Sequence, residues 1–179
     1  MYSEKHFWFV LLLSLFAINQ ICCLVEFTNF KCTSFDKDVV DFEYCILKSI
    51  NRTSKYVSAK IKVFKFPVKS IKVNIGLHQL ANGYRPFLYN ITFDGCKFIK
   101  NQKSNPVAKY FYEFIKDISN ANHSCPYNHD FILEKLSSDM INSRLPKILP
   151  FPAGNYMFEA HWTANELYRA LTKLYIYVS

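Results

Sequence analysis

The run His123-Ser124-Cys125-Pro126-Tyr127-Asn128-His129 places two imidazoles and a thiol within a short stretch. Zinc sites of this kind recruit a second cysteine pair at ligand spacing, and none is present. Cys125 serves better as half of a disulfide, so no metal is expected. His78 and His161 fall at the polar phase of alternating segments, where water solvates them. Asp36 and Asp38 sit in a turn-like stretch, Ser34 to Asp38, and read as turn formers. There is no G-x-S-x-G, no H-E-x-x-H and no glycine loop to cradle phosphate; the glycines are Gly76, Gly83, Gly95 and Gly154. The expectation is a protein that is not an enzyme and has no cofactor. One arrangement would revive a hydrolase: a Ser and a carboxylate both meeting His78 or His161 in space.

The chemistry that remains is the burial of apolar surface, and strands must position it. Val40, Phe42, Tyr44 and Ile46 alternate with Asp41, Glu43 and Cys45. Val57, Ala59, Ile61 and Val63 alternate with polar partners, as do Ile71, Val73, Ile75 and Leu77, and Pro67 separates these two runs. Period two is the signature of a half-buried strand. After the Asn82-Gly83 turn signal, the sequon at Asn90 fixes the parity of the next strand. A glycan there must point outward, with Leu88 and Thr92 beside it. Phe87, Tyr89, Ile91 and Phe93 then point inward. Gly154-Asn155 opens another strand, with Tyr156, Phe158, Ala160 and Trp162 against Met157, Glu159 and His161. Tyr168 to Val178 closes the chain, with Ala170, Leu174, Ile176 and Val178 on one side.

One segment changes period. Asn105 can cap, Pro106 suits a first helical position, and Val107, Tyr110, Phe111, Phe114, Ile115 and Ile118 follow helical spacing. The spacing predicts an amphipathic helix over 106–118, flanked by Cys96 and Cys125. Phe131 to Leu145 fits either a helix or a strand and loop. Pro146, Pro150 and Pro152 mark an extended connector. About seven strands and one clipped helix predict a mainly β fold: an immunoglobulin-like antiparallel β-sandwich. The aromatic inner faces either fill its core or line a cavity between parted sheets.

The N-terminus reads as an address. Lys5 and His6 precede an apolar run, Phe7 to Ile18, which is shorter than the roughly 20 residues of a bilayer span. Residues 1–23 are expected to be a removable signal peptide, with an uncleaved anchor as the alternative. Residues 24–179 then form a single domain, and the protein is secreted. Cys22 and Cys23 leave with the signal; Cys32, Cys45, Cys96 and Cys125 remain. Four cysteines allow three pairings, and proximity favours Cys32–Cys45 and Cys96–Cys125, each contributing roughly 3 to 4 kcal/mol. Three acceptor sequons, at Asn51, Asn90 and Asn122, agree with secretion. The formal charge is +8. Its lysines are either a solvated strand face or attracted to anionic membrane or glycan surfaces; outside the cell, nucleic acid is not an expected partner.

Several blocks together carry a resemblance. They are Glu26-Phe27-Thr28-Asn29-Phe30-Lys31-Cys32, then Tyr44-Cys45-Ile46-Leu47-Lys48 with Asn51-Arg52, and Asn82-Gly83-Tyr84-Arg85-Pro86-Phe87-Leu88-Tyr89 followed by Asp94-Gly95-Cys96. Asn105-Pro106, Cys125-Pro126-Tyr127 and Pro152-Ala153-Gly154-Asn155-Tyr156 complete the set. The chain after residue 23 resembles a large uncharacterised family of small secreted insect proteins. That family is similar to the chemosensory CheB proteins and, more distantly, to the lipid-recognition (ML) superfamily, which includes the ganglioside activator and the Niemann-Pick sterol carrier. The resemblance implies sheets that part to admit a lipid or another long apolar molecule. Several superfamily members carry six or more cysteines, so their disulfide maps do not transfer.

The leading expectation is a non-catalytic carrier of a lipid, sterol or hydrocarbon, with Phe87, Tyr89, Ile91, Phe93, Tyr156, Phe158 and Trp162 lining the pocket. A membrane surface or a receptor is a further candidate partner. The rival expectation is a protein–protein module or receptor accessory with a solid core, suggested by Phe64, Phe66, Tyr175 and Tyr177 outside the inner phase.

Overall fold

Alternating apolar residues pair into two antiparallel sheets in a computed structural model that describes residues 24–145 and 151–179. The expected signal peptide and the connector prolines Pro146 and Pro150 lie outside the described residues. The strands are β1 (Val25–Ser34), β2 (Val40–Ser49), β3 (Lys55–Val63), β4 (Ile71–Ala81), β5 (Gly83–Asp94), β6 (Phe131–Ser137), β7 (Gly154–Ala164) and β8 (Leu167–Val178). One sheet runs β1-β8-β7-β4-β5, and the other runs β2-β3-β6. The mainly β, immunoglobulin-like sandwich is therefore as expected. Among the described residues the strand count differs: β1 adds an eighth, and Phe131–Ser137 resolves as β6. The α-helices among the described residues are α1 (Gly95–Lys100), α2 (Pro106–Ile115) and α3 (Ser138–Arg144), where the spacing predicts one.

The departures in side-chain phase share one cause, the β-bulge, which inverts side-chain parity beyond it. In β2 the pairing steps from Phe42↔Ile61 to Tyr44↔Lys60, which leaves Glu43 as the extra residue. Beyond it Cys45 and Leu47 turn inward, while Tyr44 and Ile46 turn outward. The expected phase is thus corrected from Tyr44 onward. The inverted phase lets Cys45 reach Cys32 on β1, and the bridge ties one sheet to the other with a Cα separation of 6.1 Å. A bulge in β1 between Phe27 and Asn29 changes the inward set from Val25 and Phe27 to Phe30 and Cys32. In β6, Leu136 pairs with Val57 but Leu133 with Ala59, so one extra residue intervenes. Lys135 takes φ 52°, and its N–H donates to the buried Ser58 hydroxyl at 2.8 Å. Two inward leucines three residues apart imitate helical spacing, which is why this segment fits both templates in sequence.

Tyr44, turned outward by its bulge, donates its hydroxyl to the Glu134 carboxylate. That bond holds the phenol proton and pushes the pKa up to about 12. A group whose folded pKa is raised contributes stability fully present below its unfolded value, near 10, and lost as pH rises through the folded one. Stability is therefore expected to fall between about pH 10 and about pH 12, and Tyr44→Phe to flatten that fall. Urea melts across this range check it; an unchanged slope in the variant would refute the link.

Helix α2 starts as expected. The Asn105 side chain accepts from the Ala108 N–H at 3.0 Å, and Pro106 occupies the first turn. The helix ends at Ile115, earlier than the expected 118. Asn105→Ala should cost about 1 kcal/mol by removing the cap, readable as a lowered denaturation midpoint. Cys96 in α1 bonds Cys125, so the second disulfide flanks α2.

Candidate functional site

Inward side chains of both sheets and of α2 do not fill the space between them. They enclose a cavity of about 420 Å³. Its five-stranded wall presents Val73, Ile75, Tyr89, Phe93, Phe158 and Trp162, and its three-stranded wall presents Val57, Ala59, Ile61 and Leu133. Helix α2 closes one side with Tyr110, Phe111 and Phe114. Phe111 bridges two strands: its ring lies 5.0 Å from Phe158 and 6.2 Å, edge-on, from Tyr89.

The expected parity of β5 holds. Leu88, Asn90 and Thr92 are exposed, and Phe87, Tyr89, Ile91 and Phe93 face the interior. Of the seven expected ligand-contacting residues, Tyr89, Phe93, Phe158 and Trp162 line the cavity. The other three pack in its surrounding wall. Phe87 packs against Tyr156 and Phe151, with ring centroids at 5.4 and 6.1 Å. The Tyr156 hydroxyl donates to the Pro152 carbonyl at 2.7 Å and accepts from Gln79 Nε2 at 3.2 Å. Ile91 packs on Val73, Ile75 and Ala160. Sequence reasoning finds one wall and misses the others. The apolar face of α2 is legible, but its lining role is not.

The cavity lining carries few polar groups. Trp162 Nε1 donates to Thr172 Oγ1 at 3.2 Å, and the Tyr112 and Tyr127 hydroxyls donate to the carbonyls of Ala121 and His123. The Tyr110 and Ser119 hydroxyls and Arg169 Nε are buried without a partner among the described residues, and burial, with Tyr89 nearby, pushes the Tyr110 pKa upward. Arg169 is the one lining residue with a fixed charge, and it is paired with Asp36.

The other polar clusters lie outside this space. His123 and His129 meet Nε2 to Nε2 at 2.8 Å, so one ring donates and the other accepts. No group of three or more His, Cys, Asp or Glu suited to a metal occurs among the described residues. His161 bonds the Glu159 carboxylate, but the hydroxyl on its other nitrogen belongs to Tyr168 and not to a serine. His78 is half-buried, and its Nδ1 has no partner among the described residues. The candidate interface residues do not form one patch. Phe64 and Phe66 are exposed after β3, Tyr177 is exposed at the opposite end of the sandwich, and Tyr175 packs edge-on against Tyr84 at 5.6 Å. The sequon residues Asn51, Asn90 and Asn122 are all exposed.

These features define a two-sheet, disulfide-tied sandwich around an apolar cavity. Residues 71–158, from the start of β4 to the middle of β7, match the model of a family described as a protein of unknown function (DUF1091). No curated protein matches the chain.

Proposed function

We propose that this protein is a secreted, non-catalytic binder or carrier of a hydrophobic ligand: a lipid, a sterol or a hydrocarbon. The observation that carries the reading is the 420 Å³ apolar cavity, which falls within the range of small-molecule sites, about 300 to 1,000 Å³. Apolar surface buried by a ligand there contributes roughly 25 cal/mol per Å². Two disulfides support an extracellular setting, as do three exposed sequons. No helix among the described residues is long and apolar enough to cross a membrane. The rival module with a solid core is disfavoured by the same cavity.

The test is native mass spectrometry and lipid extraction of protein secreted from insect cells, followed by reloading after delipidation. The expected result is a co-purifying apolar molecule, or uptake of N-phenyl-1-naphthylamine with enhanced fluorescence. Protein that neither carries nor takes up any lipid, sterol, hydrocarbon or probe would overturn the proposal.

A further inference from the structure

Three turns meet at the end of the sandwich opposite the β4–β5 hairpin: 35–39, 64–70 and 165–166. They are tied together by backbone bonds. Phe64 N–H donates to the Val39 carbonyl at 2.8 Å, and Phe35 N–H to the Arg169 carbonyl at 2.9 Å. Asn165 N–H donates to the Ser70 carbonyl at 3.1 Å, while the Asn165 side chain accepts from Lys69 N–H at 3.1 Å. From this frame Phe35, Phe64, Phe66, Leu167 and Tyr168 project between 38 % and 57 % exposed. The Phe35 and Tyr168 rings touch, with centroids 4.6 Å apart.

The charges at this end are unequal. Lys37, Lys65, Lys69 and Lys72 are exposed and make no ion pair among the described residues. Of the acids on the three turns, Asp36 is taken by Arg169, which leaves Asp38 and Glu166. The chain as a whole carries +8. Lys65 lies between Phe64 and Phe66, so two rings can enter an apolar layer while the ammonium stays at its polar boundary. Projecting rings on turn tips with lysines around them suit a soft, anionic, amphipathic surface better than a shaped protein pocket. The same end adjoins the cavity, whose lining includes Val63, Val68 and Ile71.

We propose that this end docks on an anionic phospholipid bilayer, with Phe64 and Phe66 entering the acyl boundary and the lysines meeting lipid phosphates. The proposal stands on the exposed turns and not on what the cavity holds.

Vesicle flotation of the full secreted protein tests it, using phosphatidylcholine alone and with roughly a third phosphatidylserine at about 0.15 M salt. The protein should float with the anionic vesicles, less with the zwitterionic ones, and less again at high salt. The double substitution F64S/F66S should weaken flotation about tenfold or more, as expected for two rings withdrawn from an apolar layer. A second variant, Phe66→Trp, should still float, and its emission should shift to the blue on anionic vesicles. The proposal is overturned if the wild type stays soluble with both vesicle types, if the folded double variant floats like the wild type, or if the emission of the Phe66→Trp variant does not move. Saturable binding to a cell-surface protein without vesicle binding would also overturn it.

Discussion

Delipidated protein is expected to bind hexadecanol or methyl palmitate about tenfold or more tightly than palmitate at neutral pH. The three share a chain and differ in charge. A tenfold ratio is about 1.4 kcal/mol, a small part of the several kcal/mol that a buried, unpaired carboxylate costs. No lining residue among the described ones offers an unpaired countercharge to offset that cost: the buried, partnerless Tyr110 and Ser119 hydroxyls are neutral, and Arg169 Nε belongs to a guanidinium that Asp36 already balances. Arg169 is the one charged lining residue, and Asp36 holds it. The Thr172, Tyr112 and Tyr127 hydroxyls are engaged within the wall. Displacement of N-phenyl-1-naphthylamine by the three ligands gives the ratio directly. Two further arms follow from the same electrostatics. Palmitate should gain affinity as pH falls towards its own pKa, because the neutral acid carries no charge to bury. Asp36→Asn should also favour palmitate, because it releases the Arg169 guanidinium. Equal affinity for palmitate and hexadecanol in the wild type at neutral pH would show that a cation reaches the ligand, contrary to the Arg169–Asp36 pairing.

The same wall shows what the amino-acid order discloses and what it withholds. Along β5 the outward Asn90 sets the direction of Tyr89, Ile91 and Phe93 because side chains alternate, and the register shift at Leu88 adds two residues and so leaves the phase of Phe87 unchanged; Tyr89 and Phe93 line the cavity as expected. On β4 and β7 the alternation is plain in the sequence. Parity fails wherever one extra residue enters a strand. Glu43 hides the inward turn of Cys45, the β1 bulge hides that strand altogether, and Lys135 makes a strand resemble a helix. A bulge has no reliable composition, since any residue can be the unpaired one. The cavity is withheld for a different reason. Parity says which rings face inward, but not how far apart the sheets stand. That separation depends on whole-domain packing, including the Phe87 and Tyr156 rings that pack around the space without lining it. Phe111 reads equally well as an ordinary core contact of a helix.

Deleting Glu43 together with Tyr44 is expected to abolish the Cys32–Cys45 disulfide and to destabilise the protein by more than the loss of that bond alone. Losing Glu43 alone would leave Tyr44 outward opposite Lys60 and Cys45 inward opposite Ala59, as they are; with both residues gone Cys45 follows the inward Phe42 and faces solvent, pointing away from Cys32. Leu47, which packs on the main core, turns out with it. Three variants separate the contributions. The pair C32A/C45A removes only the cross-link, whose sequence separation of 13 residues corresponds to about 3 kcal/mol in the loop-entropy account. Glu43→Ala keeps the residue count and therefore the register. It loses only the surface pairs with Lys60 at 2.7 Å and Lys62 at 3.5 Å, which solvent screens, so its melt should stay close to that of the wild type. The double deletion should cost more than C32A/C45A, because it also exposes Leu47 and removes the Tyr44 hydroxyl that bonds Glu134. Thiol titration of the denatured proteins should find two free thiols in the deletion variant and none in Glu43→Ala, and urea melts should rank the three. Both cysteines remaining oxidised after the double deletion would mean that the strand absorbs the loss elsewhere, and that the parity set after Phe42 is not what directs Cys45 across the sandwich.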